Sequence, residues 1–198
     1  MTQQPPSVIV LAGPNGAGKS TIAPVLLPRT LGIVDFVNAD DIARGLSAYD
    51  SDSAAIEASE IMLRRLRTLA EARVNLAFET TLASRSLAPW LKELIAGGYE
   101  FHLFFLWLPS ADAAVARVAE RVRVGGHHVP EETIRRRYDR GLRNFFELYQ
   151  VLATNWRMDD SSEADGPKLI ARGQGPRTTR VLDQVLWKAI LGAYGRET

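Results

Sequence analysis

The sequence predicts an α/β fold, a three-layer sandwich with a mainly parallel central sheet of about five strands and a helical lid. Three observations predict it. Short apolar, β-branched or aromatic runs recur along the 198 residues, with longer segments of helical periodicity between them. The runs are continuous rather than alternating, as in strands covered on both faces. The first run passes directly into a glycine-rich turn that closes on a lysine and two hydroxyls.

In chain order the predicted strands are SVIVLAG (7–13), IVDFVNA (33–39), VNLAFET (74–80), YEFHLFFLWL (99–108) and KLIAR (168–172). Strands alternating with helices imply a parallel sheet wrapped by helices. A helix is expected through LAPWLKELIAG, and two more in the stretch ADAAVARV to NFFELY. DDSSEADGP (159–167) is the most loop-like segment, and an amphipathic helix over about 180–194 is expected to pack back on the sheet. This length suits one domain, residues 1–198, with its lid near 117–140.

Composition narrows the function classes. The chain is 46% hydrophobic and 24% charged, with a formal charge of +1, so no overall field favours long nucleic acid or an anionic membrane. There is no cysteine, which excludes disulfides, thiol catalysis and cysteine-ligated metal and fits a reducing cytoplasm. MTQQPPSV has no basic patch followed by an apolar stretch, so no secretory signal is expected. The longest apolar run, FHLFFLWL, is too short to span a bilayer.

The opening turn reads Gly13-Pro14-Asn15-Gly16-Ala17-Gly18-Lys19-Ser20-Thr21 and satisfies G-x-x-x-x-G-K-[ST] between a strand and a helix. Glycines let backbone amides turn inward around phosphate oxygens, and the helix N-terminus adds partial positive charge. Lys19 can reach the β- and γ-phosphates of ATP, and Ser20 offers its hydroxyl to Mg²⁺. Pro24 removes a donor early in the following helix and should kink it. PNGAGKST also occurs in transporter-type ATPases, but the chain carries no LSGGQ-like signature.

The second predicted strand ends in FVNADDIARGL, which puts Asp40 and Asp41 at the sheet edge where open α/β folds bind ligands. Asp40 is the preferred base for a hydroxyl attacking the γ-phosphate, whereas Asp41 equally suits a helix cap, and Arg44 follows on the same helix. The third strand delivers Glu79 to the same edge, to orient a magnesium-bound water or to hold acceptor hydroxyls. Thr80 and Thr81 can bond phosphate or sugar oxygens, while Thr81 or Ser84 can instead cap the next helix.

Further on, Val115, Val118, Ala119 and Val122 form an apolar stripe, with Arg117 and Arg121 on the other side of that helix. After Gly125-Gly126 and HHVP, a second helix turns Ile134, Tyr138, Leu142, Phe145 and Tyr149 inward. Arg136, Arg140 and Arg143 face away and read as a solvated surface, and Arg137 flanks the stripe. Two arginine-bearing helices around a glycine hinge suit a lid that neutralises charge on a transferring phosphoryl group. His127 and His128 fit lid contacts better than zinc, which needs further ligands.

Together, GPNGAGKST, NADDIARGL, FETTLASR and RVAERVRVGGHHVPEETIRRRYDRGLRNF resemble the zeta-toxin family of P-loop kinases, in its stand-alone bacterial branch, from about residue 7 to 172. The resemblance implies a P-loop kinase fold and ATP with Mg²⁺ as cofactors. It also implies UDP-N-acetylglucosamine phosphorylated on a sugar hydroxyl, and a small antitoxin as a partner. It assigns Lys19 to the phosphates, Asp40 as catalytic base, and Glu79 to the sugar or magnesium. Arg117, Arg121, Arg136 and Arg137 then act on the phosphates, while Asp41, Arg44, Thr80, Thr81 and His128 fall near the acceptor. Two alternatives stay open from the residues alone: a polynucleotide 5′-hydroxyl kinase, and a nucleotide-binding regulatory module without transfer.

Overall fold

The computed structural model describes residues 4–47, 53–163 and 165–195; residues 1–3 and residue 164 of the expected loop lie outside them. The strands are β1 (Ser7–Ala12), β2 (Phe36–Val37), β3 (Leu76–Thr80), β4 (Glu100–Trp107), β5 (Asn155–Asp160), β6 (Lys168–Gln174) and β7 (Arg177–Val181). They form one sheet in the order β2-β3-β1-β4-β5-β6-β7. β1 to β5 pair in parallel, and β6 and β7 add antiparallel.

Among the described residues the sheet thus has seven strands rather than about five. KLIAR is the first arm of the antiparallel hairpin, and the fifth parallel strand is NWRMDD. In β5, Trp156 and Met158 are buried while Arg157 alternates with them toward the other face. That alternation marks a strand with one open face, and it hides β5 from a search for continuous apolar runs. The hairpin also shortens the expected C-terminal helix, since Arg180 and Val181 belong to β7.

The helices are α1 (Lys19–Val25), α2 (Ala39–Leu46), α3 (Ala55–Glu71), α4 (Leu87–Ala96), α5 (Ala111–Arg123), α6 (Glu131–Asn144) and α7 (Gln184–Tyr194). Pro24 lies inside α1, and the helix widens into a π turn at Leu26–Leu31, which contains Pro28. Two missing donors within five residues explain the loosened hydrogen bonding. A second π turn, Phe145–Tyr149, prolongs α6. Asp183 caps α7 by accepting from the Leu186 amide at 2.9 Å.

The two faces of the sheet are covered unequally. Val8, Val10 and Ala12 of β1 meet the main core, built with Leu66 of α3, Leu91 of α4, Val118 of α5, Leu142 of α6 and Trp187 of α7. An aromatic stack anchors it: Phe145 lies 5.0 Å from Phe105 and 5.8 Å from Trp156, and Trp156 stacks on Trp187 at 5.6 Å. On the opposite face Ile9, Leu11 and Ala77 pack against Ala23 and Leu27 of α1 and its π turn. Among the described residues no helix is long and apolar enough to cross a membrane.

β1 lies between β3 and β4, so the chain runs to one side of it and then to the other. The crevice at the C-terminal ends of β1, β3 and β4 is therefore a topological switch point, where open α/β sheets take up ligands.

Gly173 of the hairpin has no room for a side chain, because a Cβ would overlap the Arg177 carbonyl and meet the Trp156 ring at 2.6 Å. Gly192 in α7 faces open space. In urea unfolding, Gly173→Ala should lower stability by about 1–3 kcal/mol. Gly192→Ala should raise it by about 0.5–1 kcal/mol. Equal shifts for the two would contradict this packing.

Candidate active site

β1 delivers the glycine-rich loop, and two neighbours press on it. Gly13 has φ 137°, and a Cβ there would overlap the Leu106 carbonyl at the end of β4. A Cβ on Gly16 would lie 2.9 Å from Arg117 Cβ and 3.1 Å from the Ala114 carbonyl, so α5 backs the loop closely. From the other side, Ser161 Oγ donates to the Ala17 carbonyl at 2.7 Å, and Arg117 donates to the Ser162 carbonyl at 2.6 Å. Within the loop the Ala17 amide bonds the Pro14 carbonyl, and the Thr21 amide bonds Gly18 as α1 begins.

Lys19 opens α1 with its ammonium buried. Nζ donates to the Gly13 and Pro14 carbonyls at 2.9 Å each and lies 3.8 Å from Glu79 Oε1. Burial pushes the Lys19 pKa down, the Glu79 and Asp40 carboxylates push it back up, and the Arg121 and Arg137 guanidiniums lower it. Glu79 also accepts from Ser20 Oγ at 2.8 Å and from Asn38 Nδ2 at 3.2 Å. Two segments distant in sequence, the start of α1 and the end of β2, thus converge on one carboxylate.

Asn38 is the N-cap of α2, its Oδ1 accepting from the Asp40 amide at 2.8 Å. The reading of Asp41 as a cap is corrected here, because α2 starts at Ala39 and Asn38 already satisfies its first turn. Asp40 lines the cleft beside Lys19. Asp41 pairs with Arg44 on the exposed side of α2, away from the cleft lining. Asn38, which ties Glu79 to Asp40, was not singled out from the sequence; its place just after the strand, two residues before a carboxylate, was the available signal.

The cleft, of about 580 Å³, opens from Lys19 and Asn15 past Asp40, Glu79, Thr80 and Thr81 to Arg136, Arg137 and Arg140. Its floor includes Met62 and Leu63 of α3. The wall from Thr80 to Ser86 is held by α6. Gly141 packs so close that a Cβ would overlap the Thr81 carbonyl. Asn144 donates to the Leu82 carbonyl at 2.7 Å, and the Tyr149 hydroxyl to Ser84 at 2.5 Å. Leu82 is fully buried with φ 57°, a left-handed conformation that costs a non-glycine residue energy and persists where surroundings enforce it. Neither Thr81 nor Ser84 caps α4: Ser86 precedes that helix, and Ser84 Oγ accepts from its amide at 3.2 Å.

The arginine helices differ from the expected pair. Ala114 and Val118 are the buried residues of α5, and Ala119 is exposed. α5 ends with the Gly125 amide on the Val122 carbonyl and the Gly126 amide on Arg121. A Cβ on Gly126 would come 2.5 Å from Arg121 Cγ; its absence lets Arg121 fold back and donate to the His127 carbonyl at 2.7 Å. Arg121 Nε is buried without a partner, as is Asn15 Oδ1. α6 is fixed in the core through Ile134, Tyr138 and Leu142, with the Tyr138 hydroxyl on the Leu108 carbonyl at 2.8 Å. Arg136 and Arg140 line the cleft, which corrects their reading as a solvated face; Arg135 instead bridges Glu131 and Asp112. His127 lines the cleft, and His128 is exposed outside its lining.

The family model described as Zeta toxin matches residues 1–160. An uncharacterized protein of Haemophilus influenzae is 25% identical over 130 residues, which cover 66% of this chain and 91% of that protein. The solved AvrRxo1-ORF1:-ORF2 complex with ATP superposes with a TM-score of 0.71 at 19% identity, over 99% of this chain and 66% of that one. This chain therefore spans slightly less than two thirds of that protein. The PezAT chromosomal toxin-antitoxin system of Streptococcus pneumoniae superposes with a TM-score of 0.66 at 16% identity, covering all of this chain and 82% of the other. Both likenesses are of fold: a three-layer α/β sandwich whose first strand runs into a glycine-rich loop.

Asn144→Ala leaves the buried Leu82 carbonyl without its donor and should cost about 1–3 kcal/mol, read by denaturant or thermal unfolding. Wild-type stability in that variant would show that the cleft wall holds its shape without α6.

Proposed function

The chain belongs to the zeta-toxin family, and from that premise we propose that it is an ATP-dependent kinase. It transfers the γ-phosphate to a hydroxyl of a small molecule, a nucleotide sugar such as UDP-N-acetylglucosamine. One observation carries the reading. A single cleft joins the phosphate-binding lysine to a carboxylate suited to act as base and to a bank of arginines, Arg136, Arg137 and Arg140. Its volume is in the range of small-molecule sites.

The glycine-rich loop and Lys19 hold the triphosphate. Its negative charge replaces the two carbonyl dipoles that Lys19 Nζ now meets. Asp40 accepts the proton of the acceptor hydroxyl as its oxygen bonds the γ-phosphorus and the bond to the β-phosphate oxygen breaks, releasing ADP. Asn38 holds Asp40 in place through the amide of that residue. Arg121 and Arg137, which already bear on Lys19, stabilise charge on the transferring group. Arg136, Arg140 and His127 face the acceptor. Arg117, committed to the Ser162 carbonyl, positions the loop rather than touching phosphate.

Ser20 Oγ and Glu79 Oε2, 2.8 Å apart, are the hard oxygen donors that magnesium takes alongside substrate phosphates. Bound there, the ion would neutralise phosphate charge. We place the enzyme in the cytoplasm, and the PezAT likeness supports a small antitoxin as its protein partner. Closure over the substrates falls to the loop 124–128, because α5 and α6 are both packed into the core.

Labelled ATP offered with hydroxylated metabolites, UDP-sugars and 5′-hydroxyl oligonucleotides identifies the acceptor. With that acceptor, Asp40→Asn should lower turnover by about 10²–10⁴-fold while ATP affinity stays within about twofold of wild type. Undiminished transfer by the variant rules Asp40 out as the base, and transfer to oligonucleotides alone replaces the small-molecule reading.

A further inference from the structure

The sheet carries a second concavity, of about 490 Å³, on the face covered by α1 at β1 but left open over β4 to β7. It lies toward the N-terminal ends of the parallel strands, away from the edge that holds Lys19 and Asp40. His102 and Phe104 of β4, Asn155 and Arg157 of β5, and Arg172 and Gln174 of β6 line it.

Register aligns its charges. Phe104 pairs with Arg157, Arg157 with Arg172, and Arg172 with Arg180 of β7. Directly paired residues project from the same face, on strands about 4.8 Å apart. Arg157, Arg172 and Arg180 are therefore set in one row across the sheet, with Arg180 just beyond the lining of the concavity. Arg157 lies 5.9 Å from the Phe104 ring and is bonded to the buried carboxylate of Asp159 at 2.7 Å. Arg172 and Arg180 are exposed and, among the described contacts, have no acidic partner. Glu100, at the far corner, is engaged with His102 at 3.2 Å.

Like charges set directly opposite each other across two strands are unfavourable. The chain as a whole carries a formal charge of only +1, so this row is a local concentration of charge. An anion bridging Arg172 and Arg180 turns that repulsion into attraction. The Phe104 ring with the amides of Asn155 and Gln174 forms an apolar floor with polar edges, and the volume of this open concavity is in the range of small-molecule sites.

We propose that this concavity is a second ligand site for a phosphate-bearing small molecule, with the phosphate between Arg172 and Arg180 and the rest of the ligand against Phe104. The proposal does not depend on the kinase reading, because none of these residues belongs to the catalytic cleft.

The test uses the full chain carrying Lys19→Ala, which weakens phosphate binding at the glycine-rich loop, in site-resolved NMR titrations with inorganic pyrophosphate and with AMP. Saturable shifts are expected at Phe104, Arg157, Arg172 and Gln174. Adding Arg172→Gln and Arg180→Gln should weaken that binding by about tenfold or more. The double variant in the wild-type background should keep its ATP affinity at the loop, which shows that it is folded. Non-saturable shifts, shifts confined to residues 13–20, or equal binding by the double variant would overturn the assignment. So would binding of an acidic peptide such as hexaglutamate with none of pyrophosphate or AMP.

Discussion

A buried ammonium organises this molecule. Lys19 has almost no contact with solvent, and its charge is balanced by two backbone carbonyls and by the Glu79 carboxylate 3.8 Å away. A buried cation is tolerated only where dipoles and an opposite charge compensate lost hydration. The lowered Lys19 pKa expresses what burial costs, and the opposing pull of Glu79 and Asp40 expresses the compensation. The rest of the cleft follows from that balance. β3 must end where its glutamate meets β1's lysine, and β2 must end where Asn38 can hold both Glu79 and Asp40.

The glycine-rich loop does not hold its shape alone. The end of β4 sits under Gly13, α5 under Gly16, and the turn after β5 binds the Ala17 carbonyl through Ser161. Arg117 closes the circuit by joining α5 to that same turn. Opposite, α6 fixes the wall from Thr80 to Ser86 through Asn144, Tyr149 and the close approach of Gly141. The phosphate side and the acceptor side of the cleft are thus supported by different helices, so mutations in α5 and α6 should separate nucleotide affinity from acceptor affinity.

What was legible in the sequence was local. The glycine-rich loop is a contiguous spacing between a strand and a helix, and Asp40 and Glu79 follow directly from strand ends. Ser161 and Asn38 became visible only in three dimensions, because Ala17 and Glu79, which they bond, lie tens of residues away, whereas His127 was read as a lid contact. Arg140 was read as solvated from its helical position. That face of α6 is turned to the cleft, which periodicity alone cannot distinguish from bulk water. β5 was missed because one face of it is open, so its apolar residues alternate where the search was for a continuous run. Pro24 was read correctly as a disturbance of α1, and the structure gives its form, a π turn that begins two residues later.

The central claim is that the buried Lys19 ammonium exchanges its carbonyl and carboxylate partners for the phosphates of ATP. Calorimetric titration of wild-type protein and Lys19→Ala with ATP in the presence of magnesium tests it most directly. The account predicts one saturable site in the wild type and affinity weakened by at least about tenfold in the variant, the scale of losing a charge-assisted contact. Equal affinities in the two proteins would contradict it.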